Sequence, residues 1–194
     1  MLTPGDVAAA ANGADRAQNP VRGGRELADT CRVIALVLAQ PGDESSAILS
    51  ELAETHRWLQ DGAREIAGLS LDRWQAGHMR LFVSGYPKTV CPPFESHYRH
   101  GQLCGPATSE IDAIYRRAGL EPAATIPADY LGTMLECAAW LIDRTGGGCG
   151  LLAELWVDHL GAWVPRFAGD LVAGSELELY RALGRRLTQL FLDA

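Results

Sequence analysis

An all-α chain folded as a single helical bundle is what the sequence predicts. From Glu26 onward apolar residues recur at spacings of three and four, and segments of alternating β-branched residues are missing. The 194 residues are 47% hydrophobic, enough to fill one core without disulfides or a structural metal.

Residues 1–24, rich in Ala, Gly and Asn and interrupted by Pro4 and Pro20, offer no apolar face to bury and are expected to form a mobile tail; residues 25–194 form the helical domain. The first helix is expected from Arg25 to Ala39, before Pro41-Gly42. The second runs from Asp43 to about Gly62, with Ile48, Leu49 and Leu52 on one face. Ser70 is the expected N-cap of a third helix, on which Leu71, Trp74, His78, Leu81 and Phe82 form one stripe ending near Gly85. Across Tyr86–Tyr98, the prolines at 87, 92 and 93 predict a loop of fixed shape. A fourth helix over Ala107–Ala118 stops at Gly119, where a left-handed C-cap is expected. The fifth is expected to open at Pro127, to carry Asp129 in its first turn against the helix dipole, and to end at Gly146-Gly147-Gly148, a hinge spanning 146–150. A sixth covers Leu151 to Trp163, before Pro165. The last starts at a capping box, Ser175-x-x-Glu178, and turns Tyr180, Leu183, Leu187, Leu190 and Phe191 inward.

Charge narrows the partners. There are 24 acidic and 17 basic residues, a net charge of −7, and Lys88 is the single lysine, so the basic footprint that nucleic acid requires is absent. An acidic surface suits a basic ligand. The five cysteines are widely spaced without a Cys-x-x-Cys pair, which predicts reduced thiols. No basic-then-apolar leader opens the chain, and the longest apolar run, Val33 to Ala39, is too short for a bilayer; a cytoplasmic protein without a membrane span is expected.

Signatures of catalysis are scarce. A Gly-x-Ser-x-Gly elbow, a phosphate-binding loop, a dinucleotide fingerprint and a His-Glu-x-x-His helix are all absent. His97 and His100 with Cys91 or Cys104 lack the spacing of a metal site, and Asp158-His159 has no evident nucleophile, so helix packing accounts for His159 more simply. The Gly146–Gly150 run before a helix is an anion cradle lacking the usual lysine, or a plain linker.

Three segments are more specific. Leu81-Phe82 with Pro92-Pro93-Phe94-Glu95-Ser96-His97-Tyr98, then Pro127-Ala128-Asp129-Tyr130-Leu131 with Leu135-Glu136, then His159-Leu160-x-x-Trp163-x-Pro165-x-Phe167, resemble in order the signatures of the TorD/DmsD family of redox-enzyme maturation chaperones, which extends to NarJ-like members. The likeness covers about residues 70–194. Tyr130 departs from it, standing where the family often has histidine, so no role of that imidazole is carried over.

The resemblance implies a TorD-like bundle without enzymatic activity or a cofactor of its own. Its partner would be the precursor of a molybdenum-cofactor oxidoreductase, held by its twin-arginine leader, its apo form or both so that cofactor insertion is assisted and export delayed, and a homodimer formed by helix exchange across the glycine run is a further implied assembly. A leader of this type presents two arginines and then an apolar stretch. Glu95, Asp129 and Glu136 are the expected carboxylates; Trp74, Phe82, Pro93, Phe94, Tyr98 and Tyr130 are the expected apolar wall. Against this stands the ordinary reading, in which Trp74, Phe82 and Trp163 are core and Asp129 is a helix-dipole carboxylate. Two other classes remain open: a helical small-molecule or nucleotide binder using residues 146–150, and a small hydrolase built on His97, His100 or His159.

Overall fold

The computed structural model describes residues 20–86, 88–121 and 125–192. Residues 1–19 of the expected tail lie outside them, whereas 20–24 already belong to the first helix, α1 (Pro20–Leu38). Proline is tolerated in a first turn, and Ala28, Cys31, Ile34 and Leu38 then recur at helical spacing as a fully buried stripe.

Helix α2 (Ser45–Thr55) stops earlier than its pattern suggests. His56 leaves helical geometry, a 3-10 turn over Arg57–Leu59 buries Leu59, and α3 (Gln60–Ala67) resumes in a new direction. Packing explains the break. A Cβ added at Gly62 would lie 2.6 Å from the Leu179 Cα, so α3 meets the C-terminal helix closely enough to require glycine, and a straight continuation of α2 would not reach it.

Ser70 caps α4 (Leu71–His78) as expected, its Oγ accepting the Arg73 amide. A wide π-helical turn, Met79–Val83, follows and buries Leu81 and Phe82. The chain then doubles back, and the Cys91 amide donates to the Leu81 carbonyl at 2.9 Å.

The proline-fixed loop is shorter than expected. It ends at extended Phe94, and Glu95–His100 form a helix, α5, stopped by Gly101 at φ 73°. Pro93 is the last residue that forbids helix, and Glu95 then sits at the positive end of the dipole. Helix α6 (Pro106–Ala118) ends at Gly119, φ 75°, as expected. The next helix does not open at Pro127: residues 127–129 form a turn, Tyr130 is extended, and α7 runs Leu131–Thr145. Tyr130 is held out of the helix because it pairs with Phe94 in an isolated antiparallel bridge.

Gly146 and Gly147 take positive φ after α7. Helix α8 (Gly150–Ala153) widens into a π-helical stretch, Glu154–Leu160, and continues as α9 (Gly161–Gly174), straight through Pro165. The proline cannot donate to the Gly161 carbonyl, yet Trp163, Val164, Phe167, Ala168 and Leu171 are all buried around it, and that burial outweighs one missing bond.

The capping box expected at Ser175 does not form. Ser175 Oγ bonds to the Leu177 backbone, and Glu178 instead pairs with Arg181 and Arg185. The first turn of α10 (Glu178–Leu192) is capped from another helix, Glu65 Oε2 accepting the Glu178 amide at 2.5 Å.

Helix α1 lies along α7, and α9 along α10, with one continuous apolar core between them. Trp74, Phe82, Tyr98, Trp163, Phe167 and Tyr180 form its aromatic centre; Trp74 Nε1 donates to Tyr180 Oη at 3.0 Å. No helix among the described residues is long and apolar enough to cross a membrane.

The Gly62 contact gives a direct test. Gly62→Ala is expected to lower unfolding free energy by about 1–3 kcal/mol in urea titrations, while Gly42→Ala, with open space around its Cβ, stays within about 0.5 kcal/mol of wild type.

Candidate functional site

The three motif segments converge on one node. The Glu95 amide donates to the Asp129 carbonyl (3.1 Å) and the Leu131 amide to the Pro93 carbonyl (2.9 Å), clamping the loop before α5 to the turn before α7. Asp129 completes the clamp: its Oδ2 accepts the Ser96 amide and its Oδ1 the Thr108 hydroxyl, both at 2.8 Å, joining α5, α6 and the start of α7 through one carboxylate. Tyr115 Oη adds a bond to the Ala128 carbonyl at 2.8 Å.

Glu95 ties in the third segment. Its Oε1 accepts from Arg99 Nη1 at 2.5 Å and lies 2.9 Å from His159 Nδ1, while Oε2 has no hydrogen-bond partner. The hydrogen bond to Glu95 raises the His159 pKa above its ordinary value against the opposing effect of burial. One turn further along, Trp163 stacks on Tyr98 at 5.3 Å, and Arg166 covers the Tyr98 ring.

This arrangement corrects the expected site. Glu95 and Asp129 do come together, but both are 0% exposed; Asp129 spends both oxygens and Glu95 its Oε1 on internal partners, and the unpartnered Glu95 Oε2 is itself buried, so neither is open to a guanidinium from outside. Asp129 also precedes α7 instead of sitting in its first turn. Trp74, Phe82 and Pro93 are buried, as the ordinary core reading of the two aromatics had it. Phe94, Tyr98 and Tyr130 are half-buried, and Glu136 is exposed.

Tyr130 has a defined task. Its Oη donates to the Leu38 carbonyl at 3.0 Å, the same carbonyl that His78 Nε2 approaches at 3.1 Å. Burial, with Glu136 nearby, pushes the phenol up to about 12, and burial pushes His78 down. A phenol that stays neutral at physiological pH thus anchors the end of α1 to the start of α7.

The sequence reading named one acid of an open groove and missed the rest. A cavity of about 390 Å³ lies between α6 and α7, lined by Tyr115, Leu120, Glu121, Ile126, Glu136 and Trp140 among others. Its signal was present as the apolar Leu120 and Ile126 flanking a linker, but which helix faces would oppose each other depends on tertiary packing.

The other chemistries find no support here. Among the described residues no group of three or more His, Cys, Asp or Glu could hold a metal. His159 is paired with a buried carboxylate, and Ser96, the hydroxyl next to Glu95 in sequence, is itself wholly buried. At the glycine run, the Gly146, Gly148 and Leu152 amides donate to Ile142 O, Thr145 O and Cys149 Sγ, leaving those three unavailable to a phosphate.

Comparison with known proteins identifies the family. The family model described as nitrate reductase delta subunit matches residues 45–169, from the start of α2 into α9. The chain belongs to that family. It is 31% identical over 168 residues to the chaperone protein YcdY of Escherichia coli, covering 81% of this chain and 88% of the relative. It is 32% identical over 121 residues to the Tat proofreading chaperone DmsD of Salmonella typhi, covering 59% of this chain and 56% of that one. A solved structure, a redox enzyme maturation protein of Archaeoglobus fulgidus, shares the fold with a TM-score of 0.67 at 23% identity, over 86% of this chain and 94% of that one. The chain is a chaperone of the NarJ/TorD-like maturation family and not an enzyme.

The clamp makes two predictions. Asp129→Ala strands the Ser96 amide and the Thr108 hydroxyl, and is expected to lower stability by about 3–5 kcal/mol in denaturant titrations, while exposed Glu136→Ala changes it by about 0.5 kcal/mol or less. Because the His159 pKa is raised from 6.5, the stabilisation is complete below that pH and is lost as pH rises through the folded-state value. The stability difference between wild type and His159→Gln, measured across a pH series, is therefore expected to be largest below 6.5 and to shrink above it.

Proposed function

We propose that this chaperone holds the precursor of a molybdenum-cofactor oxidoreductase in the cytoplasm by its twin-arginine leader, delaying export until the cofactor is in place. The observation that carries the reading is the convergence of all three family motif segments on one rigid node with no reacting group. What the motifs preserve is a shape, and a fixed shape serves recognition. Around the node, the partly exposed Phe94 and Tyr130 and the open carboxylate of Glu136 supply apolar and acidic surface, the complement of two arginines followed by an apolar stretch. The likeness to a Tat proofreading chaperone supports the same partner class.

The net charge of −7 favours a basic ligand over an acidic one and speeds its approach. Exchange of the C-terminal helices between two subunits would cross at Gly146–Gly150, where two glycines are left-handed.

The test is calorimetric titration of the purified protein with a synthetic twin-arginine leader peptide and with its twin-lysine counterpart. The reading expects a dissociation constant of about micromolar or tighter for the arginine peptide, weaker binding of the lysine peptide, and loss of affinity as salt is raised. Absence of binding, or equal binding of a scrambled peptide, contradicts it.

A further inference from the structure

With Glu95 and Asp129 sealed inside the clamp, the arginines of a leader need other carboxylates. The groove between α6 and α7 supplies them. Glu121 and Glu136 both line it, both are exposed, and among the described residues neither is engaged in an ion pair. The other acids of α6 and α7 are already paired, Glu110 with Arg99, Asp112 with Arg116 and Asp143 with Arg32, and Glu154 just after α8 pairs with Arg117. The same pairings neutralise Arg116 and Arg117, the basic residues of α6 next to the groove.

The walls are apolar. Leu120, Ile126 and Trp140 face the cavity with Tyr115 and Cys137, and Ile126 leaves 44% of its surface in water. Trp140 already accepts one guanidinium, with Arg144 4.8 Å from its ring centroid, so this indole face is compatible with planar cations as well as with aliphatic chains.

Size and charge choose between this groove and another. At about 390 Å³ the cavity falls in the range of ligand clefts, roughly 300–1,000 Å³. It is large enough for a few side chains and too small for a whole leader. A second cavity of about 310 Å³, between α4 and the α9–α10 turn, carries Arg73 and Arg80 beside Glu65 and Glu176. There Arg80 pairs with Glu176 and Glu65 accepts the Glu178 amide, so the acids are already engaged. No basic side chain lines the α6–α7 groove, and Arg144 sits at its edge on the Trp140 ring.

We propose that this groove seats the two consecutive arginines of the leader, with their guanidiniums on Glu121 and Glu136 and the first apolar residues after them against Ile126, Leu120 and Trp140. The assignment rests on the leader-binding reading above and deepens it. It makes the groove the anchor, one turn of α7 beyond the clamp, with the remainder of the leader running outside the cavity.

The experiment titrates the full chain and its Glu121→Gln, Glu136→Gln, double and Thr133→Trp variants with the twin-arginine peptide, following each fold by circular dichroism and thermal melting. Each carboxamide variant is expected to weaken binding about tenfold, the value of one charge-assisted hydrogen bond, and the double variant to lose the salt dependence. Thr133→Trp fills the groove and is expected to abolish binding while melting within a few degrees of wild type. Wild-type affinity in the double and Thr133→Trp variants overturns the groove assignment and leaves the leader reading standing; a wild-type protein that ignores the peptide overturns both. A homodimer that dissociates in Thr133→Trp while peptide binding persists assigns the groove to a second copy of the chain and equally overturns the proposal.

Discussion

The Asp129 carboxylate is the constraint on which the rest of the structure depends. It is wholly buried, and it accepts from a backbone amide of α5 and a hydroxyl of α6 while its own carbonyl accepts the Glu95 amide. A buried charge is tolerable only when its lone pairs are taken, so the three elements cannot separate without exposing an unsatisfied carboxylate. Glu95, held through Oε1 by Arg99 and His159 with Oε2 unpartnered, adds a second buried carboxylate and brings in the widened helix that leads to α9. The prolines before α5 restrict the backbone on one side of the bridge, and Tyr130 fixes the other by reaching the end of α1.

A protein built around such a node is suited to presenting a surface. The groups that could have done chemistry, the buried histidine and the two acids, are consumed in holding helices together. At the surface near them lie partly exposed aromatics together with the exposed Arg99 and Arg166. The residues of the node do positional work, and the exposed acids of the α6–α7 groove take no part in the clamp.

Much of this was legible in the residue order. The helical class, the Ser70 cap, the Gly119 stop and the end of the helix at Gly146 are local events, decided by side chains within a turn of where they act. The misread boundaries share a different cause. The break at His56 exists because Gly62 must approach Leu179, more than a hundred residues away, and the Glu178 amide is capped by Glu65 across a similar distance. Helix α9 passes Pro165 because its flanks are buried. Likewise Glu95 and Asp129 were recognisable as important from their motifs, but whether a carboxylate points outward to a ligand or inward to Ser96, Thr108 and His159 is set by contacts that no spacing rule contains.

Glu95 and Asp129 are held in a clamp that stays closed to a partner. Hydrogen exchange at the Glu95, Ser96 and Leu131 amides tests it most directly, because each donates a bond of the clamp. The account predicts that these amides are among the slowest in the protein, exchanging only through global unfolding, and that they remain so when a twin-arginine peptide is bound. Rapid exchange in the free protein, or loss of their protection on peptide binding, would contradict it.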